Sequence, residues 1–272
     1  MVEQATATKA DCISRILAND ANYSDPRKHL GYGTAGFRAK ATLLDRACFR
    51  VGLAVAIRAK SHGKVSGVMM TASHNHHADN GVKIIEPDGS MLAPQWEPIL
   101  ELLVNTKDLG GFMRDELSMV KSSVEGFPSE DVLFNVDASE TSAHVYLAMD
   151  TRESSPRLIA AVKAGLDCLG VPYTDFDLLS TPQLHYLVAH HEQIGKACCR
   201  EDAAEFYIDN FSEAFIDFMR VLSEDEERVE NSKYETKMVL DCANGVGAIP
   251  MVSIVDRIKD YVEIELVNTA TD

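Results

Sequence analysis

A short apolar run, Val65 to Met70 (V-S-G-V-M-M), leads into a polar stretch, T-A-S-H-N-H-H-A-D-N-G, and the chain turns apolar again from Val82 to Ile85 before a Pro87-Asp88-Gly89 turn. Runs this short and this apolar, bounded by turn residues, predict strands inside a sheet covered on both faces. The polar stretch is then a loop between two strands, with Ser73 at its tip and at the carboxyl end of the first strand. Open α/β sheets place their ligands there.

The flanking segments agree with an α/β plan. Asp45 to His62 carries Val51, Ala54, Val55 and Ile57 at helical spacing, with Asp45 as expected N-cap and Gly63 as expected stop. Residues 2–21 carry a milder helical pattern, and Pro94 to Val104 a stronger one with Trp96, Ile99, Leu100 and Leu103 as core. Val145 to Met149 reads as a strand, Pro156 to Leu169 as a helix with proline in its first turn, and Val171 to Phe176 as a further strand. Residues 106–140 give no clear pattern. Gly195 to Asp202 reads as a boundary. Beyond it, Ile208, Phe211, Phe215, Phe218 and Leu222 recur at helical spacing, an aromatic stripe expected to be core. Ser223 to Glu230 is a charge run expected in a solvated loop, and strands are expected at Met238 to Cys242 and Val262 to Val267.

Composition narrows the function. The formal net charge is −16 over 272 residues, with 46% hydrophobic content. An acidic chain of this kind disfavours a nucleic-acid partner or an anionic membrane surface, both of which call for basic patches. The overall field also repels an anionic substrate, so an anion site must be built locally. None of the six cysteines forms a C-x-x-C pair, the first ten residues lack the apolar core of a signal peptide, and no run reaches the length of a membrane span. A cytoplasmic location follows as the expectation.

A serine hydroxyl is a weak nucleophile unless neighbours activate it. Ser73 has His74 and Asn75 beside it, and Lys83 on the returning strand brings positive charge. The bland alternative is a polar hairpin loop. Upstream, G-Y-G-T-A-G-F-R (Gly31 to Arg38) offers a tight backbone path followed by an arginine whose planar donors suit phosphate oxygens. Downstream, D-T-R-E-S-S (Asp150 to Ser155) reads from its residues alone as a helix cap with an ion pair. His74, His76 and His77, and the pair His190 and His191, do not match standard zinc spacing.

Taken together, T-A-S-H-N, D-N-G-V-K, Y-G-T-A-G-F-R, D-T-R-x-S and D-C-A-N-G-x-G (Asp241 to Gly247) resemble the motifs of the α-D-phosphohexomutases. The T-P-Q-L-H-Y stretch at Thr181 to Tyr186 is similar to a marker of the branch that interconverts N-acetylglucosamine 6-phosphate and 1-phosphate for UDP-N-acetylglucosamine biosynthesis. It is read as a structural signature. The resemblance implies an isomerase of α/β class, with two consecutive domains, each a mixed sheet packed between helices. These are residues 1–198 with the phosphoserine loop and residues 199–272, the second incomplete. It implies that Ser73 carries a phosphoryl group, gives it to a sugar phosphate and takes it back through a bisphosphate intermediate. Arg38 then stabilises the transferring group, Lys83 handles a proton, His74 and Asn75 shape the loop, and Arg152 contacts phosphate. One position departs from the family pattern: His76 stands where proline is usual. Proline fixes φ, so the departure bears on loop rigidity and not on the identity of the serine.

The family binds Mg²⁺ through the phosphoserine, here Ser73, and three aspartates of a D-G-D-A-D-R loop. That loop does not occur in this sequence, nor do the sugar-contacting and phosphate-binding loops of the family's later domains. The expectation is therefore a partial copy, inactive by itself. Two rivals stay open: a phosphohexomutase acting on glucose or mannose phosphates, and a non-catalytic binding module. A serine hydrolase would need a G-x-S-x-G elbow, which is absent around Ser73. The sequence sets no oligomeric state.

Overall fold

The computed structural model describes residues 8–26, 28–33, 36–117, 126–137, 141–196, 198–223 and 237–271. Its main element is a six-stranded mixed sheet of order β1-β2-β4-β3-β5-β6. The strands are β1 (Tyr32–Gly33), β2 (Gly36–Lys40), β3 (Val65–Met70), β4 (Asp79–Ile85), β5 (His144–Met149) and β6 (Tyr173–Leu178). β3, β5 and β6 are parallel, whereas β1, β2 and β4 attach by antiparallel pairing.

Alternation along β3 explains why its run is apolar throughout. Val68 and Met70 face one core, Val65 and Met69 the other, and all six of its residues are buried. The first core is formed by helices α1 (Lys9–Asp20), α2 (Asp45–His62), α3 (Glu97–Asn105) and α5 (Ser155–Cys168), with the short α4 (Glu130–Phe134) at its edge. The opposite face is covered by α6 (Thr181–Ala189) and the start of α7 (Arg200–Ser223). A second sheet, among the described residues two parallel strands, β7 (Lys237–Asp241) and β8 (Glu263–Val267), packs with α8 (Ala248–Ile258) and the middle of α7 around Ile208, Ile254, Ile258 and Val262.

α2 is the central helix, and thirteen of its residues are buried. It ends at Gly63, whose φ of 62° is the left-handed conformation that glycine adopts without strain. Asp45 is not the N-cap: the chain enters through a 3-10 turn at Ala41–Leu43, Leu44 holds the cap position, and Asp45 lies in the first turn, paired with Arg157. Two charged side chains of α2 are buried with their donors satisfied. Arg50 binds Asp20 of α1 and the carbonyls of Leu103, Val104 and Thr106 at the end of α3. Lys60 caps the end of α4 through three carbonyls.

Some expectations shift. β6 starts two residues later than expected, because Gly170 takes a positive φ and Pro172 has no N–H to donate. β4 begins at Asp79, three residues earlier. The aromatic stripe of α7 is core only in part: Ile208 is buried, but Phe211 and Phe218 are 46% and 60% exposed. The charge run lies outside the described residues beyond Ser223, as do Thr34 and Ala35 of the glycine-rich stretch, the first seven residues and part of 106–140. No described helix is long and apolar enough to cross a membrane.

Candidate active site

The polar loop of residues 71–80 is exposed at Ser73 and His74 and anchored at both ends. At its entry, the Thr71 hydroxyl donates to Asp150 Oδ2 (2.8 Å). At its exit, the Asn80 amide donates to Ser154 Oγ (2.9 Å) and Ser155 Oγ (3.0 Å). The Ser155 hydroxyl in turn donates to Asp150 Oδ1 (3.0 Å). All three anchoring residues come from D-T-R-E-S-S at the end of β5, which lies beside β3 in the parallel part of the sheet. Inside the loop, Asn75 N–H bonds to the Ala72 carbonyl and Asp79 N–H to the His76 carbonyl. The amides of Ser73 and His74 have no acceptor among the described residues.

Arg152 does not extend toward solvent. Its Nε donates to Asp150 (3.2 Å), Nη1 to the carbonyls of His76 and Asp79 (3.1 Å each), and Nη2 to those of Ala72 and Asn75. All five N–H groups of the guanidinium are taken up in this way. In this arrangement the donors of Arg152 are turned onto Asp150 and the serine loop, and none is left over for the expected phosphate contact.

Ser73, Asn75 and Arg152 line a cleft of about 680 Å³. Its walls are the serine loop, Asp150 to Glu153, the start of α6 at Ser180–Pro182, and the Cys242–Gly247 loop ahead of α8. Three helices, α5, α6 and α8, thus begin at the cleft, and none carries an acidic residue in its first turn. Helix N-termini favour anions, and here they act against the Asp150 and Glu153 carboxylates that also line the cleft. The Cys242–Gly247 loop holds Ala243 and Asn244 at φ of 51° and 53°, a conformation uncommon outside glycine. Asp241 and Asn268 brace it: Asp241 accepts from Ala243 N–H and the Asn268 amide, and Asn244 N–H bonds to the Asn268 carbonyl.

His74, Arg38 and Lys83 do not line this cleft. Arg38 on β2 pairs with Gly81, and its stem lies close over the place a Gly81 side chain would occupy. Lys83 pairs with Met69, which is in the cleft wall, and stands one strand in. It is 9% exposed, and burial, then the charge of Arg38, holds its pKa below the ordinary lysine value. No carboxylate pairs with it among the described residues. On the same face, His185 of α6 is held through Nδ1 by the Gly89 carbonyl (2.7 Å), while its buried Nε2 has no hydrogen-bond partner. Burial and the charge of Lys83 push its pKa down.

Sequence reasoning missed Thr71 and Asn80 as anchors, the Ser180–Pro182 wall and the facing Cys242–Gly247 wall. The T-P and N-G motifs signalled both walls, but only their structural role was read. The described residues do not by themselves fit a divalent cation. Among them no three His, Cys, Asp or Glu side chains converge, and Asp150 and Asp241 are already committed to hydrogen bonds.

Comparison with known proteins follows the same lines. Residues 49–110 and 132–199 match the phosphoglucomutase/phosphomannomutase alpha/beta/alpha domain I. Over 247 residues the chain is 37% identical to phosphoacetylglucosamine mutase 1 of Schizosaccharomyces pombe, covering 89% of this chain and 43% of the relative. It is 36% identical over 242 residues to the Homo sapiens phosphoacetylglucosamine mutase, covering 88% and 40%. The crystal structure of Aspergillus fumigatus N-acetylphosphoglucosamine mutase with GlcNAc-6P and magnesium superposes with a TM-score of 0.74 at 31% identity, covering 95% of this chain and 44% of that one. A serine-to-alanine form of the Aspergillus fumigatus enzyme with glucose 1,6-bisphosphate gives 0.78 at 29% identity, over 96% and 45%. The chain thus spans less than half the length of these relatives. In sequence and in fold, over most of its length, the chain is similar to the phosphoacetylglucosamine mutases, and within it residues 49–110 and 132–199 match domain I of the phosphoglucomutase/phosphomannomutase family.

Proposed function

We propose that Ser73 is the phosphoryl carrier of a phosphoacetylglucosamine mutase. In this reading the Oγ–P bond of phospho-Ser73 breaks as a bond forms from phosphorus to a free hydroxyl of the sugar phosphate. The hydroxyl proton passes by way of Lys83, which burial and Arg38 keep below the ordinary lysine range, to the leaving Ser73 Oγ, so that the serine is released as its hydroxyl. The resulting bisphosphate returns its other phosphoryl group to Ser73 Oγ, and the proton goes back to the sugar oxygen. N-acetylglucosamine 6-phosphate and 1-phosphate are thereby interconverted, the step that feeds UDP-N-acetylglucosamine formation. Arg38 assists with charge, and His74 and Asn75 shape the loop.

The observation that carries the reading is the placement of an exposed serine, with unpaired backbone amides beside it, in a cleft onto which three helix N-termini open. Phosphoryl transfer rests on positioning and charge stabilisation, and oriented N–H dipoles supply both. Magnesium belongs to the reading through the neighbour crystallised with it; here the phosphate on Ser73 would be its one ligand among the described residues, and the ion would supply further charge neutralisation. Arg152 enters as a positioning residue. The division into residues 1–198 and 199–272 is supported by the domain I match, which ends at residue 199; α7 bridges the two, with Ala203 and Phe206 on the first sheet and Ile208 and Phe215 against α8. The six free cysteines fit a cytoplasmic setting.

The test is phosphoryl uptake. The chain is incubated with glucose 1,6-bisphosphate and peptide-mapped by mass spectrometry. Uptake confined to Ser73 and lost in Ser73→Ala is the expected result. Uptake that persists in Ser73→Ala refutes the assignment.

A further inference from the structure

We propose that Arg152 is the positioning residue of the serine loop, a guanidinium core around which the loop backbone is wrapped. The hydrogen bonds themselves carry the clamp, and its purpose rests on the reading of Ser73 as phosphoryl carrier.

Four carbonyls between Ala72 and Asp79 converge on one side chain. They belong to Ala72, Asn75, His76 and Asp79, which bracket Ser73 and span the loop from end to end. A short loop that turns four carbonyl dipoles onto one cation cannot also turn them outward. Among the described residues the amides of Ala72, Ser73, His74, His76 and His77 have no acceptor, and those of Ser73 and His74, at the exposed tip, are the ones beside the serine that an incoming anion can use. The cation is fixed in its turn: Asp150 holds Nε and also accepts from the Arg152 backbone N–H (3.1 Å). That same carboxylate takes the Thr71 and Ser155 hydroxyls. The Arg152 side chain is only 13% exposed, and its bonds to Asp150, Ala72, Asn75 and Asp79 are part-buried, while the one to the His76 carbonyl is exposed.

This arrangement also accounts for His76. Proline would stiffen the loop by fixing one φ, but here the backbone is fixed from its carbonyl side. The His76 carbonyl is bound by Arg152, and its Nδ1 accepts from Ala78 N–H (3.3 Å). Lysine cannot replace the guanidinium. Its three donors radiate from one atom, whereas the site uses five spread over a planar fork.

The test compares backbone ¹⁵N order parameters of residues 72–79 in the full chain, in Arg152→Lys and in Glu153→Gln, which removes a neighbouring cleft charge but none of the clamp's bonds. The expected result is a fall from about 0.85 to below about 0.6 in Arg152→Lys alone, with the sheet unchanged. Loop order equal to wild type in Arg152→Lys overturns the inference. Should that variant not fold, the wild-type chain carries the test through the Arg152 Nε–H proton. Slow solvent exchange at neutral pH supports the clamp, and exchange as fast as a free guanidinium overturns it. Phosphoryl uptake from glucose 1,6-bisphosphate separates the two readings. If the loop loosens and uptake at Ser73 falls at least tenfold, both stand. If the loop loosens but wild-type Ser73 takes up none, the clamp stands and the carrier role falls.

Discussion

Gly52 of α2 and Gly165 of α5 meet where these two helices cross. A Cβ built on Gly52 falls 2.2 Å from the Val162 carbonyl oxygen and 3.0 Å from Gly165 Cα, and one on Gly165 falls 2.2 Å from the Phe49 carbonyl oxygen. Ordinary carbon–oxygen contacts are about 3.3 to 3.6 Å, so Gly52→Ala must part the helices locally by about 1 Å. The obstructing atoms are backbone and cannot rotate aside. The fully buried Phe49, Leu53, Val162 and Leu166 lose contact as the helices separate. Overpacking of a tight core costs about 1 to 3 kcal/mol or more, against a helix-propensity gain of about 1 kcal/mol for alanine over glycine. With rigid neighbours the upper part of the range applies, and the net expectation is a loss of about 2 kcal/mol. At about 2 to 4 °C per kcal/mol for a chain of this size, the melting temperature falls by about 4 to 8 °C. Urea denaturation reads the free energy and calorimetry the melting temperature. The double variant with Gly165→Ala should cost less than the sum of the singles, because the first separation accommodates the second methyl. Unchanged or increased stability in Gly52→Ala would show that propensity outweighs the close approach and would refute the reasoning.

Other outcomes follow from the same structure. Arg50→Met leaves Asp20 with Arg46 alone and strips a donor from three carbonyls at the end of α3. Breaking a buried pair of this kind costs about 3 to 5 kcal/mol, and a loss under about 1 kcal/mol on denaturation would contradict it. His144 is 6% exposed, and burial, with a smaller push from Lys196, lowers its pKa from 6.5 to about 4. The unfolded chain takes up that proton near pH 6.5 and the folded chain only near 4. The contribution is therefore full above pH 6.5 and lost as pH falls to 4, by up to about 3 kcal/mol. His144→Gln should flatten the stability-against-pH curve in that window, and an unaltered slope would count against it. Asn80→Ala frees the loop exit from Ser154 and Ser155. Order parameters should then drop at residues 78–80 while the Thr71 end holds, and a loop that loosens as one piece would argue against separate anchors.

Much of this was legible in the sequence for physical reasons. The strand–loop–strand around Ser73 stood out because a sheet covered on both faces demands apolar runs, so a polar interruption must lie outside it. α2 was legible for the same reason, with its stop at Gly63. The start of α2 was not, since aspartate suits both an N-cap and a first turn, and only the preceding 3-10 turn decides. The aromatic stripe of α7 misled because helical spacing defines a face but not its partner. Ile208 meets α8 while Phe211 and Phe218 meet solvent. At the site, the serine and its motif neighbours could be named, but the use of each arginine could not. D-T-R-E-S-S read as a helix cap with an ion pair: the ion pair is there, Asp150 with Arg152, but Ser154 holds the cap position of α5 without a side-chain cap bond, and Arg152 lines the cleft. Its grip on four carbonyls depends on the path of a loop more than seventy residues away in sequence, which no local pattern encodes. Lys83 was read as handling a proton, and burial beside Arg38 lowers its pKa, the direction such a role needs.

The central claim is that Ser73 is the residue that carries phosphate. The most direct measurement is site-resolved phosphopeptide mapping of the purified chain after exposure to glucose 1,6-bisphosphate, with Thr71, Ser73, Ser154 and Ser155 each resolved. The account predicts a single phosphoryl group on Ser73, since the other three hydroxyls are tied into the Asp150 and Asn80 network. Phosphate on Thr71, Ser154 or Ser155 in place of Ser73 would contradict it.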